Sequence, residues 1–253
     1  MTPPFAIVNI AERPSACEPA FTQYPGAHVQ IPVSHGHLEA SLREPDLDPR
    51  AAAVLCHPHP LHGGTMHTKA VFRAAQALNE VGVRVLRFNF RGVGTSTGSY
   101  ADGVGEEEDV EAALRYVEAE SPGLPLILGG FSFGSLVGSR VALREPGIRS
   151  LLLMGVPISI YDFGHLRDLE RPTVVVQADG DELGPGAEVE RVVGGLGRHI
   201  TVERIPESNH YFDGAFDGLK EAVGRFFTDG PGGRALAREA ATTSSRGQEE
   251  DRA

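Results

Sequence analysis

Leu124-Pro125-Leu126-Ile127-Leu128-Gly129-Gly130-Phe131-Ser132-Phe133-Gly134-Ser135-Leu136-Val137-Gly138-Ser139-Arg140-Val141-Ala142-Leu143-Arg144 is the stretch that decides the fold. Leu124–Gly129 is an apolar run of strand length, and Phe133–Arg144 repeats its apolar residues at helical spacing. Almost nothing separates the two, so the chain must turn from strand to helix within a residue or two. Ser132 stands at that corner, and the flanking glycines let neighbouring backbone approach without a Cβ collision.

Outward from this unit the same alternation continues in both directions. Before it come a short apolar strand at Ala51–Cys56, a helix at Lys69–Val81 ending at Gly82, a strand at Val83–Phe88 and a helix at Glu106–Glu120. That last helix carries acidic residues in its first turn, where the helix dipole favours them. After it come strands at Ser150–Met154, Thr173–Gln177 and Ile200–Ile205, and helices at Ala187–Gly194 and Ala215–Phe227. Strands alternating with helices imply an α/β fold, a mostly parallel sheet with helices on both faces. A hairpin, His28–Val33 and His37–Leu42, precedes the alternation. The reading divides the chain into an N-terminal arm (1–27), one catalytic domain (28–228) and a disordered tail (229–253) with a weak helical pattern at Ala235–Ala241.

Composition limits what such a domain does. The 253 residues carry 23 Lys and Arg against 34 Asp and Glu, a formal charge of −11. That balance argues against nucleic acid or an anionic membrane as partner, since neutralising phosphates takes clustered cations. Cys17 and Cys56 are too few for a disulfide framework or a thiolate metal site. Phe5–Ile10 is apolar but has no basic segment before it, and no run approaches the ~18 apolar residues of a membrane span. A cytoplasmic protein is the expectation.

Gly130-Phe131-Ser132-Phe133-Gly134 matches G-x-S-x-G, in which a serine sits on a strained strand-to-helix turn with its oxygen exposed at the end of a sheet. The match alone is weak, because Gly94-Thr95-Ser96-Thr97-Gly98 matches as well. Ser96, however, has no strand running into it and no helix leaving it, so it reads as part of a glycine-rich loop. A serine hydroxyl needs a base to take its proton, and the base needs a carboxylate to orient it. Downstream, Ala178-Asp179-Gly180-Asp181-Glu182 follows a strand, with Asp181 the first choice for the acid and Asp179 the second. His210, in Ser208-Asn209-His210-Tyr211-Phe212, follows the last strand and is the base.

Order, spacing and motifs from about residue 28 to 227 resemble the α/β-hydrolase superfamily, especially its small lidless serine hydrolases. The resemblance extends to His57-Pro58-His59-Pro60 with Gly63-Gly64-Thr65-Met66, to Phe90-Arg91-Gly92-Val93-Gly94 with Ser96 and Gly98, and to the motifs around Ser132, Asp181 and His210. It implies a roughly eight-stranded sheet, no cofactor or metal, and ester or amide hydrolysis by Ser132, His210 and Asp181. The oxyanion would be held by the N–H of Phe133 and by one from the His57–Pro60 tetrad. Pro58 and Pro60 have none to give, and the resemblance favours His59 over His57. Cap domains of this superfamily usually enter where this chain has only Gly155–Pro172, too short for a full lid.

The expected activity is therefore that of a carboxylesterase for short or small acyl esters. Phe131, Ile158, Tyr161 and Tyr211 are the expected substrate walls, with Phe133, Phe163 and Phe212 further candidates. Thioester and peptide hydrolysis use the same groups and remain alternatives, as does a non-catalytic binding protein on the same fold. A metal site at His57, His59, His62 and His67 is weakened by Leu61, which stands where a zinc hydrolase signature has an aspartate. A dinucleotide site at Gly92 and Gly94 fails at Thr97 and faces the acidic start of the next helix. An acidic nucleophile, as haloalkane or epoxide chemistry would need, is argued against by Ser132. The oligomeric state is left open.

Overall fold

The computed structural model describes residues 26–238. Its strands are β1 (Ala27–Val33), β2 (Gly36–Arg43), β3 (Ala51–Cys56), β4 (Val83–Phe88), β5 (Leu126–Phe131), β6 (Ile148–Met154), β7 (Thr173–Ala178) and β8 (Ile200–Ile205). Its helices are α1 (Lys69–Glu80), α2 (Val104–Glu120), α3 (Phe133–Ala142), α4 (Gly186–Val192) and α5 (Phe216–Thr228). All eight strands form one sheet in the order β1-β2-β4-β3-β5-β6-β7-β8. The β1–β2 hairpin and the β2–β4 pair are antiparallel, and every pairing from β4 to β8 is parallel.

The all-apolar strands are explained by two cores, one on each face. In β3, Ala52, Val54 and Cys56 join the core beneath α2 and α3, while Ala51, Ala53 and Leu55 join the one beneath α1 and α5. Successive strand residues point to opposite faces, so a strand covered on both sides has no polar face to show. Each fully buried Val or Leu contributes about 1.5–3 kcal/mol of transfer free energy. Helix α1 buries Ala70, Val71, Ala74, Ala75, Ala77 and Leu78, the expected stripe, against that second core.

Sheet order positions the site. From β3 the chain moves outward to β4, then crosses back to β5 on the opposite side of β3. The loops after β3 and β5 therefore diverge at adjacent carboxyl ends, and ligands of open α/β sheets bind in such a crevice. Strand β5 runs to Phe131, two residues beyond the expected end, so Ser132 leaves the sheet with no intervening loop.

At the C-terminal end the structure corrects the expected boundary. Residues 231–238 are helical, and Leu236 is buried in the same core as Phe226 and Phe227. The domain thus continues past 228. Residues 1–25 and 239–253, which hold most of the expected arm and the rest of the expected tail, lie outside the described residues. Among the described residues no helix is long and apolar enough to cross a membrane. Leu236→Ala is expected to cost about 2–3 kcal/mol in a urea titration; a residue in a disordered tail would cost nothing measurable.

Candidate active site

Ser132 has φ 55° and ψ −117°, a backbone conformation that L-residues with side chains rarely adopt. Such geometry costs on the order of 1–3 kcal/mol and persists only where the surroundings hold it. The holding bonds run from Ser132 N–H to the Met154 carbonyl at 2.9 Å and from Ser135 N–H to the Ser132 carbonyl at 2.9 Å. The buried Ser135 hydroxyl lies 2.8 Å from the Gly130 carbonyl and 2.9 Å from that of Met154, and it accepts the Met154 N–H. Both motif glycines are sterically required. A Cβ on Gly130 would stand 2.2 Å from the Gly134 carbonyl oxygen, and one on Gly134 would stand 2.6 Å from those of Cys56 and His57. The second approach packs the start of α3 against the end of β3.

The turn delivers the Ser132 hydroxyl to His210 Nε2 at 3.0 Å, and His210 Nδ1 lies 2.8 Å from Asp181 Oδ2. An ionised carboxylate can only accept, so Nδ1 carries the imidazole proton and Nε2 is left to accept from Ser132. Asp181 also accepts the Leu183 N–H at Oδ1 (2.8 Å) and the Gln177 amide N–H at Oδ2 (2.8 Å). Gln177 is fully engaged itself, donating to the Gly184 carbonyl and accepting the Val156 N–H. Of the two candidate acids the structure brings Asp181 to the imidazole. Asp179 faces outward and pairs with Arg204 at 2.7 Å.

One face of the imidazole rests on Phe131, with ring centroids 5.1 Å apart, and Tyr211 meets it edge-on at 5.4 Å. Gly155 closes the space beneath; a Cβ there would stand 2.6 Å from the Phe131 ring and 3.3 Å from His210 Cε1. This corrects the expected role of Phe131. Its side chain is fully buried in the α1/α5 core and supports the base from below, so it cannot touch substrate. Phe212 and Phe163 are also core residues. Ile158 and Tyr161 are partly exposed, and Tyr211 is 41% exposed.

On the other side of Ser132 stands a second aromatic group. The His59 ring lies 4.9 Å from that of Phe133 and 5.0 Å from that of Tyr100. The His59 and Phe133 N–H groups donate to no protein acceptor among the described residues. For Phe133 the reason is local, because the first residue of a helix has no carbonyl one turn back within it. His57 is committed elsewhere: its Nε2 accepts the Phe90 N–H at 3.0 Å, and its Nδ1 lies 2.6 Å from the Pro58 carbonyl. Both ring nitrogens are thus occupied, and among the described residues no three His, Cys, Asp or Glu side chains converge to hold a metal ion.

The glycine-rich segment after β4 proves to be scaffold. Arg91 binds the buried Asp109 through its backbone N–H and its guanidinium, tying this loop to α2. Ser96 donates to the Asn89 carbonyl at 2.7 Å and accepts the Glu39 N–H at 2.8 Å, so its hydroxyl is a buried loop clamp. Sequence reasoning missed Gln177, Ser135 and Tyr100. Gln177 had a signal, as the one amide in the otherwise apolar strand Thr-Val-Val-Val-Gln-Ala.

Burial pushes the His57 imidazole down to about 4, against smaller raising effects of the Pro58 carbonyl and the Asp109 charge. The unfolded chain, with an ordinary histidine near 6.5, takes up this proton first as pH falls. The stabilisation is therefore complete above about pH 6.5 and is lost as pH falls from there to about 4, by about 3 kcal/mol. His57→Gln is expected to flatten the pH dependence of the urea midpoint across that window. An unchanged slope would remove His57 as its source.

Residues 48–162 match the family model described as Serine aminopeptidase, S33. An uncharacterized protein of Rickettsia prowazekii, RP471, is 36% identical over 170 residues, which are 63% of this chain and 71% of that protein. Among solved structures, an alpha-beta serine hydrolase homologue from Coxiella burnetii is 36% identical with a TM-score of 0.74, covering 79% of this chain and 96% of that one. XC6422 from Xanthomonas campestris, an a/b serine hydrolase without lid, is 33% identical with a TM-score of 0.75, covering 84% of this chain and 97% of that one.

Proposed function

Because the chain belongs to the lidless group of the α/β-hydrolase superfamily, we propose that it is a carboxylesterase that cleaves small or short-chain acyl esters through an acyl-enzyme intermediate. The observation that carries this reading is the hydrogen-bonded chain Ser132–His210–Asp181, at 3.0 and 2.8 Å, on a strained turn at the end of the sheet. Ser132 Oγ attacks the ester carbonyl carbon while His210 Nε2 takes its proton, and Asp181 stabilises the imidazolium that forms. The N–H groups of His59 and Phe133 hold the developing oxyanion. The intermediate collapses by breaking the carbon–oxygen bond to the alcohol, which leaves with the proton from His210. Water then attacks the acyl-enzyme, with His210 again as base, and the carboxylic acid departs as Ser132 regains its proton.

Substrate size is argued from the connection between β6 and β7. It holds loops and one short 3₁₀ turn, Gly164–Asp168, with no helix pair to roof a long acyl chain. An open site gains little from long chains, whose binding needs an enclosed apolar tunnel.

The test is hydrolysis of p-nitrophenyl esters across acyl lengths, with free thioester and aminoacyl substrates alongside. Wild type is expected to prefer short acyl chains. Ser132→Ala is expected to lose roughly 10³-fold or more in kcat. Ser96→Ala is expected to keep turnover within a few-fold while losing about 1 kcal/mol of stability with its two hydrogen bonds. Wild-type rates in Ser132→Ala would overturn the nucleophile, and fastest turnover on the longest chains would overturn the argument from the open site.

A further inference from the structure

The polar chain that begins at the oxyanion loop has a direction, and the direction is fixed by chemistry. Leu61 N–H donates to His59 Nδ1 at 3.2 Å, and a backbone amide can do nothing but donate. His59 Nδ1 is therefore an unprotonated acceptor, and the ring's proton sits on Nε2. Nε2 lies 3.3 Å from the Tyr100 hydroxyl oxygen. Since Nε2 carries the proton it donates, and Tyr100 Oη accepts. The hydroxyl proton of Tyr100 then has no protein acceptor among the described residues. Burial also holds Tyr100 above the usual tyrosine value, so the phenol keeps that proton at neutral pH.

Tyr100 is partly exposed and stands beside the two residues whose amides face the oxyanion, with its ring 5.0 Å from His59 and 6.1 Å from Phe133. Each hydrogen bond in such a chain polarises the next, which strengthens the terminal O–H as a donor. The side of the site follows from the mechanism. A leaving alcohol must take its proton from His210 Nε2, which places it on the wall formed by His210 and Tyr211. The acyl group is accordingly assigned to the opposite side, where Tyr100 and Tyr161 are partly exposed, whereas the Phe133 ring is buried in the core and only supports Tyr100.

We propose that the Tyr100 hydroxyl is a specificity-determining donor in the acyl subsite, and that the preferred acyl group carries an oxygen acceptor, as a hydroxyacyl, oxoacyl or ether-bearing acid does. This inference rests on the esterase reading above and adds the chemical class of the acyl group. An acyl oxygen that accepts from Tyr100 adds one hydrogen bond that a plain hydrocarbon chain cannot make, worth about 1 kcal/mol, or roughly fivefold, net of water.

The test compares p-nitrophenyl esters of plain alkanoyl groups with isosteric esters in which one chain methylene is replaced by an ether oxygen, placed at successive positions. The quantity read is the ratio of kcat/KM for the oxygenated ester to that for its plain counterpart, measured in wild type, Tyr100→Phe and Tyr161→Phe. Taking this ratio within each protein cancels any loss of folded enzyme, and comparing the ratios between proteins cancels the inductive effect of the oxygen. At one oxygen position the ratio is expected to fall roughly fivefold or more in Tyr100→Phe, the worth of one hydrogen bond, and to stay at the wild-type value in Tyr161→Phe. Equal ratios in wild type and Tyr100→Phe at every position would overturn the proposal, as would a fall confined to Tyr161→Phe. Either result with an active wild type leaves the esterase reading standing. A wild type that cleaves no ester overturns both.

Discussion

A serine can present its oxygen at the end of a parallel sheet only if the backbone reverses within one residue, and that demands a positive φ. Ser132 meets the demand at 55°, and much of the surrounding architecture follows from holding it there. Gly130 and Gly134 are glycines because the reversal brings the first turn of α3 onto its own strand and onto the end of β3. Ser135 is a serine because one small hydroxyl can tie β5, β6 and the helix start together without adding bulk. The strain is thus confined by bonds that all lie within the buried half of the turn.

From that corner two walls diverge, each with its own electrostatic task. One is built on Asp181, whose carboxylate is buried yet accepts from Leu183, Gln177 and His210. Burying an ionised group is tolerable only with such satisfaction. The other wall is built on His57 and His59, neighbours in sequence with opposite duties. His57 is sunk in the core as a neutral ring that pins the loop after β4. His59 leaves its backbone N–H without a protein acceptor among the described residues and gives its ring to a chain that ends at Tyr100. The sheet order, with β3 beside β5, is what sets these walls on either side of one hydroxyl.

Much of this could be read from the residues in order. Strands covered on both faces announce themselves as unbroken apolar runs, and β3 and β5 were legible for that reason. That Ser132, Asp181 and His210 come together was legible because each lies on a turn or loop that follows a strand, and parallel topology gathers those ends. Asp179 could be separated from Asp181 only by the fold, since two residues apart in a turn the carboxylates point in different directions. The expectation that Phe131 lines the substrate wall depends on a strand ending at Gly129, and β5 runs on to Phe131. Once the strand continues, Phe131 shares a face with Ile127 and must enter the α1/α5 core. Gln177 bonds Asp181 only four residues on and is marked by being the one amide in its strand, whereas Tyr100 meets His59 41 residues away, which periodicity does not register. Leu236 is the one large apolar residue in 229–253, and the weak helical pattern at Ala235–Ala241 offers no broad apolar face that would mark it as core.

The account stands or falls on whether Ser132 is activated by His210. A fluorophosphonate that reacts with activated serines measures this directly, with intact mass and peptide mapping as readout. One phosphonyl adduct is expected per chain, on Ser132, and His210→Ala is expected to slow its formation roughly 10²-fold or more. An adduct on another residue, or labelling of Ser132 at an undiminished rate in His210→Ala, would contradict the assignment.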